Sequence, residues 1–375
     1  MGFASLDEFI NATTNLGQSW REDWNKLSHP VTAAVAGEWS ALFGLAGAPT
    51  NGILNAGTNN SFQSLCDQSA GAMLHGGNVS PKTKHGLITA AGSGAVTTAP
   101  STLMLVDMLG YYRRNNLTVT GDLACINDTT FTHLTADSRL LHAAYDMSSF
   151  TRVQVSTTGT LPSGLVAATD YWTVRFSATQ SDLYPTFADA IALTNKVTLS
   201  STGSGTHTIT AGLPRYEDGA GVQLFSVVTT VLGAGVPTLR ATYTNSLGTA
   251  GRLTPGTLPI SKASGAVGLI EYSGTGAGKY GPFMPRAAGD AGIRSLQQTN
   301  YSVTHTSGET AWCLCRPLTS LPIGAVGAIT ERDLLNQFPS LPRIRDGACL
   351  AWLLMNGAAT PANSGFYGNV EFGWN

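Results

Sequence analysis

Apolar and polar residues alternate most clearly between Ser148 and Gly212. Within that stretch FTRVQVSTTGTLPSGLVAATDYWTVRF gives two period-two runs parted by a Pro/Gly turn, and KVTLSSTGSGTHTIT gives two more. A short apolar-periodic piece, TFADAIALT, lies between the pairs. Beyond it the chain resumes at LPRYEDGAGVQLFSVVTTVL as though nothing had intervened. The pattern predicts a small β-rich module at 148–212, set into a core domain built from residues 1–147 and 213–375.

The core reads as strand-dominated. VQLFSVVTTVL, LRATYTNSLGTAGRLTPGTLPI, GAVGLIEY, YSVTHTSGETAWCLCRPL, GACLAWLLM and FYGNVEFGW all carry strand signals, and TNSLGTAG fits a hairpin connection. STLMLVDMLGYY, with Pro100 ahead of it, fits a buried helix or a strand, which periodicity alone does not separate. Near the start, Leu6, Phe9, Ile10, Leu16, Trp20, Trp24 and Leu27 recur at the spacing of one helical face, and Ser5 with Glu8 forms a capping box. A helical N-terminal arm over Leu6–Leu27 is predicted, with a break at Gly17. TERDLLNQF, capped by Thr330 and closed before Pro339, predicts one further helix. The expected fold class is mainly β with a few short helices: a β-sandwich or barrel-like core, the helical arm and the inserted module.

Composition sharpens this picture. Only 12% of the 375 residues are charged, and 43 are glycine. Average globular chains carry about twice that share of charge. So little charge suits either a Thr-rich β fold with tight turns or a surface covered by other subunits. The 21 basic and 23 acidic residues leave a net charge of -2 without a basic block, so no direct nucleic-acid binding is expected. MGFASLDEFINATTNLGQSW lacks the basic start and apolar run of a secretion signal, and VTAAVAGEWSALFGLAGA is broken by Glu38 and three glycines, so neither export nor a membrane span is expected. Five scattered cysteines suit a reducing compartment.

No catalytic motif stands up. SGTGAGKY, Ser273–Tyr280, has Ser273 where a phosphate-cradling loop needs glycine and Tyr280 where it needs a Ser or Thr hydroxyl. Cys313 and Cys315 share one side of a strand, but no second pair of ligands lies near them in sequence to complete a zinc site. The pairs His75/His85 and His133/His142 lack ligand spacing, and Glu217 and Asp218 beside Gly219 read as a turn. No catalytic, cofactor-binding or metal-ligating residue is therefore expected, and no cofactor. Candidate subunit contacts are Trp20 and Trp24 on the arm, and Arg286 and Arg294, which flank the bend at Gly289, Asp290 and Gly292 in KYGPFMPRAAGDAGIRSLQQ. That segment fits a loop keyed into a neighbouring subunit or, alternatively, a ligand loop.

LPSGL, TDYWTV and STGSGTHTI resemble small β-modules inserted in structural proteins of tailed bacteriophages. SLDEFINA, REDWNKL, LHGGNVSP, LPRYEDGAGV, AAGDAGIRS and ERDLLNQFPSLPRIRDGACLAWLL resemble phage virion proteins more widely. The resemblance implies a non-enzymatic virion protein, capsid or capsid-associated, whose partners are copies of itself and other virion proteins and which assembles in the bacterial host cytoplasm. The long spine helix of a usual phage shell protein is not evident. A tail or fibre protein is the alternative, with the module binding a host-surface glycan through Tyr171, Trp172 or Tyr184. Joining Asp146 to Leu213 by a short linker is expected to leave folding and incorporation into the particle largely intact.

Overall fold

The computed structural model describes residues 3, 5–26, 36–54, 60–93, 101–115, 117–142, 145, 147–260, 265–272, 281–325, 327–332, 342–357 and 365–375. The fold is mainly β, and the helices among the described residues are short. Among the described residues no helix is long and apolar enough to cross a membrane.

A central antiparallel sheet runs in the order Gln223–Thr230, Glu309–Ile323, Ser101–Arg114, Leu350–Met355, Trp39–Ala41. Ser101–Arg114 is a strand throughout and mostly buried, with Glu309–Ile323 along one edge and Leu350–Met355 and Phe62–Ser64 along the other. Burial on both faces is why its sequence is nearly continuous apolar and its period uninformative. Two outer sheets pack on this one. The first pairs Lys84–Ser93 with Gly365–Trp374 and adds Ser19–Lys26; Ile88, Phe366 and Phe372 meet Leu103 and Leu105 of the central sheet. The second pairs Thr238–Asn245 with Ile293–Tyr301 and adds Gly121–Ala124. There Tyr301 lies edge-on to Trp312 at 5.8 Å, and Leu296 donates its N–H to the Tyr112 hydroxyl at 3.2 Å.

The two outer sheets are related to each other by an internal repeat. In chain order, Lys84–Ser93, Ser101–Arg114, the turn LPRYEDGA at 213–220, Gln223–Thr230 and Thr238–Asn245 are followed by Ile293–Tyr301, Glu309–Ile323, the turn LPRIRDGA at 341–348, Leu350–Met355 and Gly365–Trp374. Six of the eight turn positions are identical. The repeats are interlocked, because the first two strands of each pair with the last two of the other. Asp107 faces Arg316 where the two long strands cross-pair. One step to either side of that pair, Ala351 sits opposite Val106 and Gln223 opposite Cys315, which is the register of a local two-fold.

Residues 115–212 and 324–340 occupy the same place in the two repeats, between the long strand and the repeated turn. In the first repeat that place holds a closed six-stranded barrel of Asp128–Leu134, Arg139–His142, Arg152–Thr157, Asp170–Ser177, Gln180–Tyr184 and His207–Gly212. Two of its strands lie ahead of Ser148. Its entry and exit are adjacent: Asp128 pairs with Thr210, and the Asn127 carbonyl accepts from the Ala211 N–H at 2.8 Å. The TFADAIALT piece is the helix Phe187–Ala192, capped by Thr186 and ended by Leu193 at φ 55°.

Two predicted helices are corrected. The N-terminal helix covers Leu6–Ile10, capped by Ser5, and one π-helical turn over Asn11–Asn15. From Ser19 to Lys26 the chain is a strand, held along its whole length by Gly365–Trp374. Thr330–Arg332, the predicted start of a helix, is a strand paired with Ile88–Ala90; the remainder of TERDLLNQF lies outside the described residues. Ser273–Tyr280 also lies outside them.

Candidate functional site: a cleft between the repeated turns

Each repeated turn ends its loop in Asp-Gly, and Gly219 and Gly347 take the positive φ values (76° and 69°) that send the chain into the following strand. The local two-fold brings the turns face to face, and between them lies a cleft of about 800 Å³. Ser80–Lys84 and Arg316 complete its walls.

Beneath the cleft Arg215 is anchored. Its Nε and Nη2 donate to the two Asp107 carboxylate oxygens at 3.0 and 2.6 Å, and it also donates to the carbonyls of Leu65 at 3.1 Å and Met108 at 2.9 Å. Asp107 accepts a further bond from the Cys349 N–H at 3.0 Å, so this pair joins the first turn to the second. Burial alone would lower the Arg215 pKa, but the Asp107 charge and hydrogen bonds raise it.

Beside it Tyr216 holds φ 53°, a conformation costly for a bulky side chain. Its ring carries the guanidinium of Arg316, 5.3 Å from the ring centre, and that of Arg345, 5.6 Å away. Burial and Asp107 push its hydroxyl up to about 12. Arg316 also donates to the Ala220 carbonyl. The space for its guanidinium exists because position 221 is glycine: a Cβ there would fall on the Arg316 side chain. The equivalent position of the second turn is Cys349, beside the smaller Asp107.

The acids of the cleft are engaged. Asp346 accepts from the N–H groups of Val79 at 2.9 Å and Ser80 at 3.0 Å, Asp218 accepts from Ala220 at 3.0 Å, and Glu217 lies 3.3 Å from Arg152. On the opposite wall Lys84 is buried, donating to the carbonyls of His75 (2.7 Å) and Gly77 and to His75 Nδ1 at 2.8 Å. Burial holds the lysine at about 8. Burial and the neighbouring lysine hold His75 at about 3, so its ring is neutral and its Nε2–H faces Asp67 at 3.6 Å.

The sequence-predicted contact residues lie elsewhere, in two groups. Trp20 is exposed on the strand Ser19–Lys26, whereas Trp24 is buried against Trp352 with ring centres 4.9 Å apart. Arg286 donates to the Ala291 carbonyl of its own loop at 2.7 Å, and Arg294 lines a crevice between the barrel base and the second outer sheet. In the barrel Tyr171 and Tyr184 are buried, and Trp172 packs on Phe187. His133, His142 and His207 line the barrel mouth, with His142 bonded to Ser181 and His207 to Thr157. Among the described residues no three His, Cys, Asp or Glu are grouped to hold a metal ion. The cleft itself went unread, although its signal was present: LPR-x-x-DGA occurs twice, each time ahead of a strand.

No protein-family model matches the chain. Comparison with curated proteins gives no match. Among solved structures the chain is similar to one described as the structure of infectious bursal disease virus Gt strain, at 13% identity and a TM-score of 0.17, covering 95% of this chain and 80% of that one. A likeness this slight carries no argument about function.

Proposed function

We propose that the chain is a non-enzymatic structural protein of a bacteriophage particle, built into the capsid through extensive contacts with copies of itself and other virion proteins. The observation that carries this reading is an apolar end on the molecule. The segments following Arg114, Thr230 and Tyr301 are tied together by bonds from His305 N–H to the Leu117 carbonyl, Gly233 to Ser307 and Thr306 to Ala234, and they expose Val119, Val231, Val236 and Val303. Grouped valines on bonded loops, in a chain with 12% charged residues, suit burial between subunits. The sequence resemblance to phage virion proteins points the same way.

The test is sedimentation of the purified chain over a range of concentrations, together with peptide mass spectrometry of intact particles. Association that is weakened by Val236→Glu and Val303→Glu, and many copies per particle, are expected. A chain that stays monomeric at high concentration and is absent from particles sinks the reading.

A further inference from the structure

We propose that the cleft between the two LPR-x-x-DGA turns is a binding site for a small phosphate-bearing anion. The inference does not rest on the structural role, since it follows from the cleft alone.

Arg316 of the long strand Glu309–Ile323 and Arg343 and Arg345 of the second turn line one cleft. Among the described residues none of the three has a carboxylate within ion-pairing distance, while every acid lining the cleft is committed to a backbone N–H or to Arg152. Two of the three guanidinium groups are held in place in advance by Tyr216, so little side-chain freedom remains to be lost on binding. Three forks around one space call for a ligand with more than one charge and oxygens pointing several ways. A phosphate meets that demand, whereas a planar carboxylate is satisfied by a single fork.

The repeat supplies a second, independent observation. In sequence Leu, Pro, Arg, Asp, Gly and Ala recur in both turns, and only the two middle positions differ. Those positions, Tyr216 and Glu217 in one turn and Ile344 and Arg345 in the other, all line the cleft. The positions at which the repeats differ thus face the cleft, beside Arg343 and Asp346, which the repeat keeps. Because the Tyr216 ring already carries two guanidinium groups, recognition falls on phosphate and not on a stacked base.

Calorimetric titration with inorganic phosphate, pyrophosphate and a nucleoside triphosphate tests this. Pyrophosphate is expected to bind the wild type and to raise its melting temperature, and Arg316→Gln and Arg345→Gln should each weaken it about tenfold, as loss of a charge-assisted fork does. Arg21→Gln, a change outside the cleft, should leave binding unchanged. Tighter binding of the nucleoside triphosphate than of inorganic triphosphate, titrated in parallel, identifies a nucleotide as the source, and equal binding identifies free phosphate groups. Arg345 is exposed, so its variant is expected to fold, and circular dichroism checks this. The proposal is overturned by absence of binding at millimolar ligand, or by binding that folded Arg345→Gln and Arg316→Gln retain in full.

Discussion

Arg215 closes two hydrogen bonds on Asp107 in the buried floor of the cleft, and through that one carboxylate the turn of the first repeat is tied to the Cys349 backbone of the second. Removing one partner leaves a charge in the interior. Asp107→Ala or Arg215→Ala should therefore destabilise the protein by about 3–5 kcal/mol, and the paired change Asp107→Leu/Arg215→Met should recover most of that loss. Urea denaturation of the single and double variants measures it. A double variant destabilised by the sum of the two single losses would show that the pair is not coupled.

A second prediction concerns pH. Glu271 is buried, accepting from the Tyr301 hydroxyl at 2.7 Å and from Ser226, and burial raises its pKa to about 7 from an ordinary 4.5. The folded state therefore keeps a proton that the unfolded chain gives up. Its stabilising contribution is complete below about 4.5 and is lost as pH rises through about 7, a change on the order of 3 kcal/mol. Glu271→Gln should flatten this slope. Denaturant midpoints at pH 5 and pH 8 are the measurement, and an unchanged difference between them in the variant would count against the assignment.

Gly221 should be intolerant of any side chain. It sits at φ 69°, and a Cβ would meet the Arg316 guanidinium. Gly221→Ala combines that clash with backbone strain of about 1–3 kcal/mol. In a double-mutant cycle Arg316→Ala should relieve the clash and leave the strain, so thermal unfolding of the double variant should fall between those of Gly221→Ala and the wild type.

The barrel should be removable only at its own boundary. Replacing residues 128–211 by a short linker joins chain ends that already lie side by side. Soluble protein with one cooperative transition is expected, at a lower melting temperature because the Tyr145 hydroxyl no longer donates to the Phe62 carbonyl. Joining Asp146 to Leu213 instead leaves Asp128–Leu134 and Arg139–His142 paired with each other but without Gln180–Tyr184 and His207–Gly212 on their outer edges. That chain should aggregate through the exposed edges. Recovery of both in equal yield would contradict the topology.

Local rules account for what could be read from the sequence. Ser5 caps its helix as the Ser5/Glu8 box implies, and the TNSLGTAG connection is closed by the Asn245 side chain accepting from Leu247 at 3.1 Å and Thr249 at 2.9 Å. Trp20 and Trp24 misled because a spacing of four places two side chains on one face of either a helix or a strand. The intervening strand alternation was masked by Glu22 and Lys26 on the inward face, and Lys26 is held there by the carbonyls of Leu45 and Pro49. The cleft was hidden for a different reason. Its walls come from turns far apart in sequence, and the barrel in one repeat removes any regular period that would align them.

The interlocked pairing also dictates an order of events during synthesis. The barrel strands lie close together in sequence and are complete once Gly212 has emerged, whereas Ser101–Arg114 gains Leu350–Met355 only near the end of translation. Until then a long, apolar, hydrogen-bonding edge stands open on the nascent chain. The slow and vulnerable stage of making this protein is the wait for its C-terminal strands.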